Sequence, residues 1–303
     1  MHLLADIGGT NARLVLARAG ERPGRPTRVD VAAYPSAELA FAAMLDGVHP
    51  EGIAVAAAGP VTGETVVLTN AHWRLEAAAL ARTFGVRVRL YNDLEAVALS
   101  LAHLGGDDLG LLRPGLAQEG APRLVLNLGT GFGGALAVAS SSGWTAVAAE
   151  PGHMRFAPTS EAEARLAAHA PTIEDVLSGR GLALAHAVIA GRAVPLAPAE
   201  VMAGAGQGGA ADAALDLAIG VLARTASDLV LAMGAWGGLY LCGGVLERLA
   251  ETAQLRLVRA LEAAFSRPNP VAVRLARVPV QRITHPHPAL LGLAAGLGSG
   301  RTP

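Results

Sequence analysis

A glycine-rich segment that could bind a phosphate chain, DIGGTNAR, occupies residues 6–13 between two short apolar runs. Gly8 and Gly9 carry no Cβ atom, so their backbone N–H groups can come close to a polyanion such as a nucleotide's phosphates. Thr10 and Asn11 add neutral hydrogen-bond donors beside them. The segment predicts a phosphate-binding turn between two strands, although an ordinary tight hairpin would account for the same residues.

Asp6 precedes this turn at the end of the first apolar run. Hard divalent cations such as Mg²⁺ take oxygen ligands and often keep several waters, so a carboxylate here could orient a hydrated cation. The segment matches neither the GxxxxGK[ST] loop of P-loop proteins nor the GxGxxG loop of dinucleotide-binding proteins. We therefore expect a phosphate site of another kind, with Asp6 organising the metal.

A second turn of the same kind follows an apolar run at residues 123–128. Gly129, Thr130 and Gly131 open it, and residues 135–139 are again apolar. Two strand–turn–strand units about 120 residues apart indicate an internal duplication. We expect two related lobes that grip one phosphate chain from opposite sides.

Asn92 and Asp93 stand where an apolar strand-like run ends and a helical pattern begins. A carboxylate at such a junction can accept the proton of a hydroxyl whose oxygen attacks phosphorus. The same pair is also a common helix cap. The residues alone leave both interpretations open.

Composition excludes several classes of protein. The hydrophobic fraction of 52% and the charged fraction of 16% fit a packed globular protein, and the formal net charge of −1 gives no electrostatic footprint for nucleic acid. Cys242 is the only cysteine and the chain has no lysine, which excludes intramolecular disulfides, cysteine-rich zinc sites and Schiff-base lysines. No signal peptide precedes Asp6 and every long apolar stretch is interrupted, so we expect a cytoplasmic protein that needs no membrane.

Alternating apolar and helical patterns predict an α/β fold in two lobes. The predicted strands cover residues 27–33, 52–58, 86–91, 123–128, 135–139, 239–242 and 278–283, and the predicted helices cover residues 37–45, 76–84, 94–104, 210–233, 250–265 and 288–297. A glycine-rich stretch at residues 105–120 is the predicted linker. We expect a small lobe of residues 1–108 with about 288–303, and a large lobe of residues 109–287.

The ordered set of motifs resembles the bacterial glucokinase family, within the sugar kinase, actin and heat-shock ATPase fold. The motifs occur in order at residues 6–13, 56–60, 69–73, 92–93, 129–134, 150–158, 174–179 and 242–245. The resemblance implies a two-lobed actin-like ATPase (ribonuclease H-like) fold with a deep cleft between the lobes. It also implies ATP-dependent phosphorylation of D-glucose at the 6-hydroxyl, which gives glucose 6-phosphate and ADP.

The same resemblance assigns roles around the sugar. Asp93 matches the catalytic base on the 6-hydroxyl, and Asn92 matches a donor to a ring hydroxyl. Asn70 also matches a residue of the sugar site. Asn92 and Asp93 could also cap the helix that follows them, and a helix cap is compatible with these roles.

Three further residues match the family's contacts to hydroxyls near C1 to C3, namely Glu150, His153 and Glu174. Carboxylates and an imidazole can read individual hydroxyls because these offer donors and acceptors in fixed directions. Pro151 stands where many relatives carry Gly, and Arg155 where some carry Asp. A stiffer turn at Pro151 would be able to shift His153.

ATP and Mg²⁺ are the expected cofactors. Residues 129–131 match donors to the β- and γ-phosphates, and residues 8–11 form the other phosphate turn. Gly243 and Gly244 resemble the segment on which adenosine rests in this fold. Asp6 matches the residue that organises Mg²⁺ through water, and relatives are often homodimers.

Three alternatives stay open at the level of sequence. The protein could be a broad-specificity hexokinase that accepts mannose or glucosamine, or a kinase with another phosphoryl donor such as ADP or polyphosphate. It could also be a non-catalytic sugar-sensing binder. A sugar-responsive transcription factor is disfavoured, because no helix-turn-helix precedes the first strand and one cysteine cannot build a zinc site.

Overall fold

The structure is a computed structural model that describes residues 1–59, 61–68, 72–141 and 143–298. The chain divides into two compact units. The first unit comprises Met1–Gly106, Ala137–Ala148 and His285–Pro303, and the second comprises Asp107–Leu136 and Ala149–Thr284. Within the described residues, no helix has both the length and the apolar composition that crossing a membrane requires.

Strands and helices alternate along most of the chain. The first part contains β1 (His2–Ile7), β2 (Asn11–Ala17), β3 (Thr27–Asp30), α1 (Ala37–Leu45), β4 (Gly52–Ala57), β5 (Val61–Thr62), β6 (Thr65–Val67), β7 (Arg74–Glu76), α2 (Ala77–Phe84), β8 (Arg87–Asn92) and α3 (Asp93–Ser100). There follow β9 (Leu109–Arg113), β10 (Arg123–Leu128), β11 (Phe132–Ser140), β12 (Gly143–Ala149), α4 (Glu161–Ala167), α5 (Ile173–Val176), α6 (Gly179–Ala190), α7 (Pro198–Ala203) and α8 (Ala210–Met233). The chain continues with β13 (Leu239–Cys242), α9 (Gly244–Thr252), α10 (Gln254–Phe265), α11 (Ala272–Leu275), β14 (Val280–Ile283) and α12 (Pro288–Gly298).

The first unit is built on a five-stranded sheet with the order β3-β2-β1-β4-β8. β1, β4 and β8 run parallel, whereas β2 pairs antiparallel with both β1 and β3. All six residues of β4 are buried, as expected for a parallel strand covered on both faces. Phe41 of α1 and Leu80 of α2 are fully buried in the apolar core on this sheet.

The second sheet has the order β12-β11-β10-β13-β14-β9. Its first five strands repeat the arrangement of the first sheet. β10, β11 and β12 take the places of β1, β2 and β3, and β13 and β14 take the places of β4 and β8. The glycine-rich turns join β1 to β2 and β10 to β11, so they occupy equivalent places in the two sheets. This repeated order agrees with the internal duplication that the two turns predict.

Several predicted elements have the bounds that the sequence indicates, among them α1, β10, α8 and β13. The helix predicted over residues 250–265 is wrong, because two helices, α9 and α10, meet there. Ala253 separates them with a non-helical backbone (φ −139°, ψ 28°). The strand predicted over residues 27–33 ends at Asp30, whose carboxylate accepts the N–H of Ala32 and caps a short 3₁₀ helix.

The predicted linker contains a strand, so its assignment over residues 109–113 is wrong. β9 pairs antiparallel with β14 at the edge of the second sheet. Arg113, at its end, is 4% exposed. Its guanidinium donates to the carbonyl oxygens of Ala276 and Val278, each at 2.9 Å, and lies 2.8 Å from the Glu262 carboxylate. These contacts attach the strand to a distant part of the sequence.

α12 packs against α3 in the first unit. Gly292 makes this packing possible, because a Cβ atom there would overlap the carbonyl oxygen of Ala96 and approach Ser100 N to 3.0 Å. The N–H of Gly20 also donates to the Ala294 carbonyl at 2.9 Å. The last helix is therefore an integral part of the first unit.

We expect Gly292→Ala to lower the free energy of unfolding by about 1–3 kcal/mol, because the added methyl group pushes α12 away from α3. Gly220→Ala in α8 is the matched control, since no neighbouring atom lies within 4 Å of its Cβ position and Ala favours helix. Urea denaturation followed by circular dichroism should show a loss for the first variant and none for the second. Unchanged stability of Gly292→Ala would contradict the close packing.

Candidate active site

The first glycine-rich turn is braced by backbone and side-chain bonds. The N–H of Gly8 donates to the carbonyl of Asn11 at 2.9 Å, and the carbonyl of Thr10 accepts the N–H of Val31 at 3.0 Å. The Asn11 side-chain oxygen accepts a bond from Arg28 Nε at 2.9 Å. Thr10 itself is exposed. The predicted donors therefore lie in one short turn, with the Asn11 oxygen already engaged.

Asp6 faces Arg13 across the β1–β2 pair, and its carboxylate lies 3.2 Å from the Arg13 guanidinium. Burial raises the pKa of the Asp6 carboxyl, while the charges of Arg13 and His287 act against that rise. No cluster of three or more His, Cys, Asp or Glu side chains able to hold a metal occurs within the described residues. Asp6 is a mostly buried carboxylate paired with Arg13, and a single carboxylate of this kind suits contact with Mg²⁺ through the ion's waters.

His287 belongs to the surroundings of Asp6, although the sequence does not distinguish it from an exposed turn residue. Its imidazole is partly buried, and its Nδ1 has no hydrogen-bond partner among the described residues. Its backbone N–H donates to Nδ1 of His285 at 3.1 Å. Burial lowers the pKa of His287, Arg13 acts in the same direction, and Asp6 opposes both. Only the tertiary fold places this residue in the electrostatic field of Asp6.

The junction of β8 and α3 is a capped helix start. The side-chain oxygen of Asn92 accepts the N–H groups of Leu94 and Glu95 at 3.0 and 3.3 Å, and its amide nitrogen donates to the Gly59 carbonyl at 3.2 Å. The cap interpretation is therefore confirmed for Asn92. Since a side-chain amide has two N–H donors, the second remains for another acceptor.

Asp93 is the first residue of α3, and its side chain is partly buried. Its carboxylate accepts the N–H of Leu94 at 2.8 Å. The dipole of a helix N-terminus favours a negative charge here. The position suits a carboxylate that acts as a proton acceptor.

The second glycine-rich turn lies against two other loops of the second unit. The N–H of Gly129 donates to the carbonyl of Gly131 at 3.0 Å, and the carbonyl of Gly129 accepts the N–H of Gly179 at 3.2 Å. Gly243 has φ +108°, and a Cβ atom there would overlap the Leu128 carbonyl. The structure therefore brings together the two segments predicted to contact the nucleotide, residues 129–131 and Gly243 with its neighbour Gly244. The turn is shorter than predicted, because β11 begins at residue 132.

A single 3₁₀ turn from Pro151 to His153 directly follows Glu150, and Nε2 of His153 lies 4.0 Å from the Glu150 carboxylate. Both side chains are more than half exposed. Pro151 begins the turn, where its fixed φ suits helical backbone, and it is buried. Its ring fills the space beside Gly134, where an added Cβ atom would lie 3.1 Å away. Pro151 is thus part of the packing that holds this loop.

Glu174 connects this loop with the second glycine-rich turn. One carboxylate oxygen accepts the N–H of Phe132 at 3.0 Å, and the other lies 2.9 Å from the Arg180 guanidinium. A Cβ atom at Gly131 would overlap the Glu174 carboxylate, and one at Gly152 would overlap the Phe132 carbonyl. The sequence reveals Glu174, but not its partner Arg180, because nothing in the motif indicates where that guanidinium points.

Asn70 and Arg155 are the two remaining residues that the sequence singles out. Asn70 lies outside the described residues, as do Thr69 and Pro60 of the neighbouring motifs. Arg155, which departs from the family pattern, is exposed and forms an isolated β-bridge with Thr172.

Two sheets of repeated strand order, each with a glycine-rich turn after its first strand, define an α/β protein of the actin-like ATPase fold. The ROK hexokinase of Thermus thermophilus has this fold, with a TM-score of 0.71 at 22% identity over 97% of each chain. A ROK family glucokinase from Streptomyces griseus, solved with glucose and AMPPNP, gives a TM-score of 0.61 at 22% identity. The predicted fold class is confirmed.

Sequence relatives identify the family more closely. The glucokinase family profile matches residues 3–299. The glucokinase of Paramagnetospirillum magneticum is 36% identical over 97% of this chain and 96% of that protein, and the glucokinase of Cupriavidus pinatubonensis is 36% identical over 97% and 91%. A glucokinase from an Antarctic psychrotroph has a TM-score of 0.85 at 29% identity over 98% of each chain. The chain belongs to the glucokinase family.

We expect Gly243→Ala to lower the free energy of unfolding by at least about 2 kcal/mol, because Ala at positive φ is strained and its Cβ overlaps the Leu128 carbonyl. Gly208 (φ +81°) is the matched control, since no atom lies within 4 Å of its Cβ position. Gly208→Ala should lose only about 1 kcal/mol, the cost of the left-handed backbone alone. Equal losses in thermal or urea denaturation would contradict the close approach at Gly243.

Proposed function

We propose that this protein is an ATP-dependent glucokinase, which phosphorylates D-glucose at its 6-hydroxyl. The main support is the placement of Asp93, a carboxylate at a helix N-terminus directly after a sheet strand, in a chain of the glucokinase family. The two glycine-rich turns at equivalent places in the two sheets add a second, independent feature expected of a kinase.

Asp93 is the proposed general base. It accepts the proton of the glucose 6-hydroxyl while that oxygen forms a bond to the γ-phosphorus of ATP. The bond between the γ-phosphorus and the bridging oxygen breaks, and ADP leaves with the electron pair. The second N–H of Asn92 donates to a ring hydroxyl, which orients the sugar beside the base.

The glycine-rich turns are the proposed phosphate contacts. Residues 8–11 and 129–131 supply N–H and hydroxyl donors to the β- and γ-phosphates, except for the Gly8 and Gly129 N–H groups, which brace the turns. Gly243 and Gly244 support the adenosine. Asp6 would hold Mg²⁺ through water, and the bound ion would offset phosphate charge. The raised pKa that burial gives Asp6 fits a carboxylate that gains from a nearby cation.

Glu150, His153 and Glu174 are the proposed readers of the hydroxyls near C1 to C3. Glu150 and His153 are exposed and therefore accessible to a ligand, whereas Glu174 is held by two bonds. Asn70 remains part of the proposed sugar site.

We further propose that the enzyme acts in the cytoplasm, where ATP is available, and as a homodimer.

A coupled assay of ADP release with glucose and Mg·ATP tests the proposal. We expect ADP formation that depends on both substrates. Formation of glucose 6-phosphate, the product common to all donors, should be much slower when ADP or polyphosphate replaces ATP. Glucose binding without sugar-dependent ADP release would instead favour the sugar-sensing binder. Faster turnover with another donor would keep the kinase chemistry but change the donor.

We expect Asp93→Ala to lower kcat by at least about 10²-fold, because the 6-hydroxyl then loses its proton acceptor. Glucose binding, measured separately by calorimetry, should be largely kept. Asp46→Asn is the control, since Asp46 is an exposed residue in the left-handed conformation that Asn tolerates. Near-normal turnover of Asp93→Ala would refute the assignment of the base.

We expect mannose, the C2 epimer, to have a kcat/KM roughly tenfold to a hundredfold below that of glucose. The 2-hydroxyl of mannose points in another direction, so polar side chains of the protein that bind this hydroxyl in glucose would be left without a partner. The cost is about 1–3 kcal/mol per group. His153→Ala should raise the KM for glucose and narrow the difference between the two sugars. Equal kcat/KM values for glucose and mannose would show a broad-specificity hexokinase, as would follow if the Pro151 turn placed His153 differently.

A further inference from the structure

Arg180 is held near Glu174 by the connection between α5 and α6. The hydroxyl of Ser178 caps α6 by accepting the N–H of Gly181 at 3.1 Å. A Cβ atom at Gly181 would overlap the carbonyl oxygens at the end of α5, so the two short segments are in close contact. Arg180 lies between Ser178 and Gly181 in the sequence, and its backbone position is therefore fixed.

The guanidinium of Arg180 holds the second oxygen of the Glu174 carboxylate. Glu174 already has one oxygen on the backbone N–H of Phe132 at 3.0 Å, and the Arg180 guanidinium lies 2.9 Å from the other. The Glu174 side chain is 25% exposed and that of Arg180 is 67% exposed. Among the described residues, each oxygen thus has one protein donor, and its second lone pair can accept a further one. With both oxygens held, the carboxyl plane cannot rotate freely.

We propose that Arg180 is a positioning residue that sets the affinity for the sugar by orienting the Glu174 carboxylate. The inference rests on the proposed function, in which Glu174 accepts bonds from sugar hydroxyls. A carboxylate fixed in one plane presents its remaining acceptor positions in two set directions, and the sugar then binds without ordering that side chain. Arg180 acts on binding rather than on proton transfer, because Asp93 is the proposed base.

The first test separates glucose affinity from the other steps. We expect Arg180→Gln to raise the KM for glucose about three- to tenfold, a modest effect because the pair is partly exposed. kcat and the KM for ATP should change less than about twofold. Arg180→Lys should restore much of the affinity, since a single N–H contact needs a cation more than a planar guanidinium. The control Arg259→Gln, at an exposed position of α10, removes the same charge and should change nothing.

A double-mutant cycle shows whether Arg180 acts through Glu174. In a Glu174→Gln background, Arg180→Gln should weaken glucose binding little further, because the group it orients is already altered. An undiminished effect in that background would overturn the inference. A higher KM for ATP with an unchanged KM for glucose would also overturn it, since Arg180 would then contact the nucleotide.

Calorimetric titration with glucose alone distinguishes this inference from the proposed function. Binding that weakens in Arg180→Gln supports the positioning role even if the protein releases no ADP, in which case only the kinase assignment fails. Normal kinase activity with equal glucose affinity in the two proteins would overturn the positioning role alone. A chain that neither binds nor phosphorylates glucose would overturn both.

Discussion

The loops of the second unit depend on close approaches at glycines that an added Cβ atom would obstruct. Gly131 leaves room for the Glu174 carboxylate, Gly152 for the carbonyl of Phe132, and Gly243 for the last carbonyl of β10. Because these approaches fix the loops against one another, the fold itself sets the positions of the polar groups in the second glycine-rich turn and in the loop of Glu150 and His153. Groups placed in this way need little reorganisation when charge develops during a reaction.

Much of the fold could be predicted because its central strands carry a local signal. The run that forms β4 is apolar throughout, and the glycine-rich turns mark where β1 and β10 end. β9 carried no such signal, since its arginine precedes Pro and Gly and resembles part of a polar linker. The partners that bury Arg113 lie 149 to 165 residues further along the chain. A local pattern cannot contain that information.

The candidate site divides in the same way. Residues that belong to contiguous motifs, such as Asn92, Asp93 and Glu174, could be found from the sequence. Their partners could not, because the direction of a long side chain is decided by tertiary packing. Arg180 at Glu174 and His287 near Asp6 are of this second kind. In a chain without lysine, such arginine partners supply much of the local positive charge.

The position of α12 has a consequence for biosynthesis. This helix contacts α3, β1 and β4, and its side chains Leu290, Leu291 and Leu293 are buried. A ribosome makes the chain from its N-terminus, so the sheet of the first unit emerges early, whereas the helix that covers it emerges only after the second unit. The second unit can therefore complete its core while an apolar face of the first is still uncovered. That nascent face is the part of the chain for a chaperone to shield until α12 has been made.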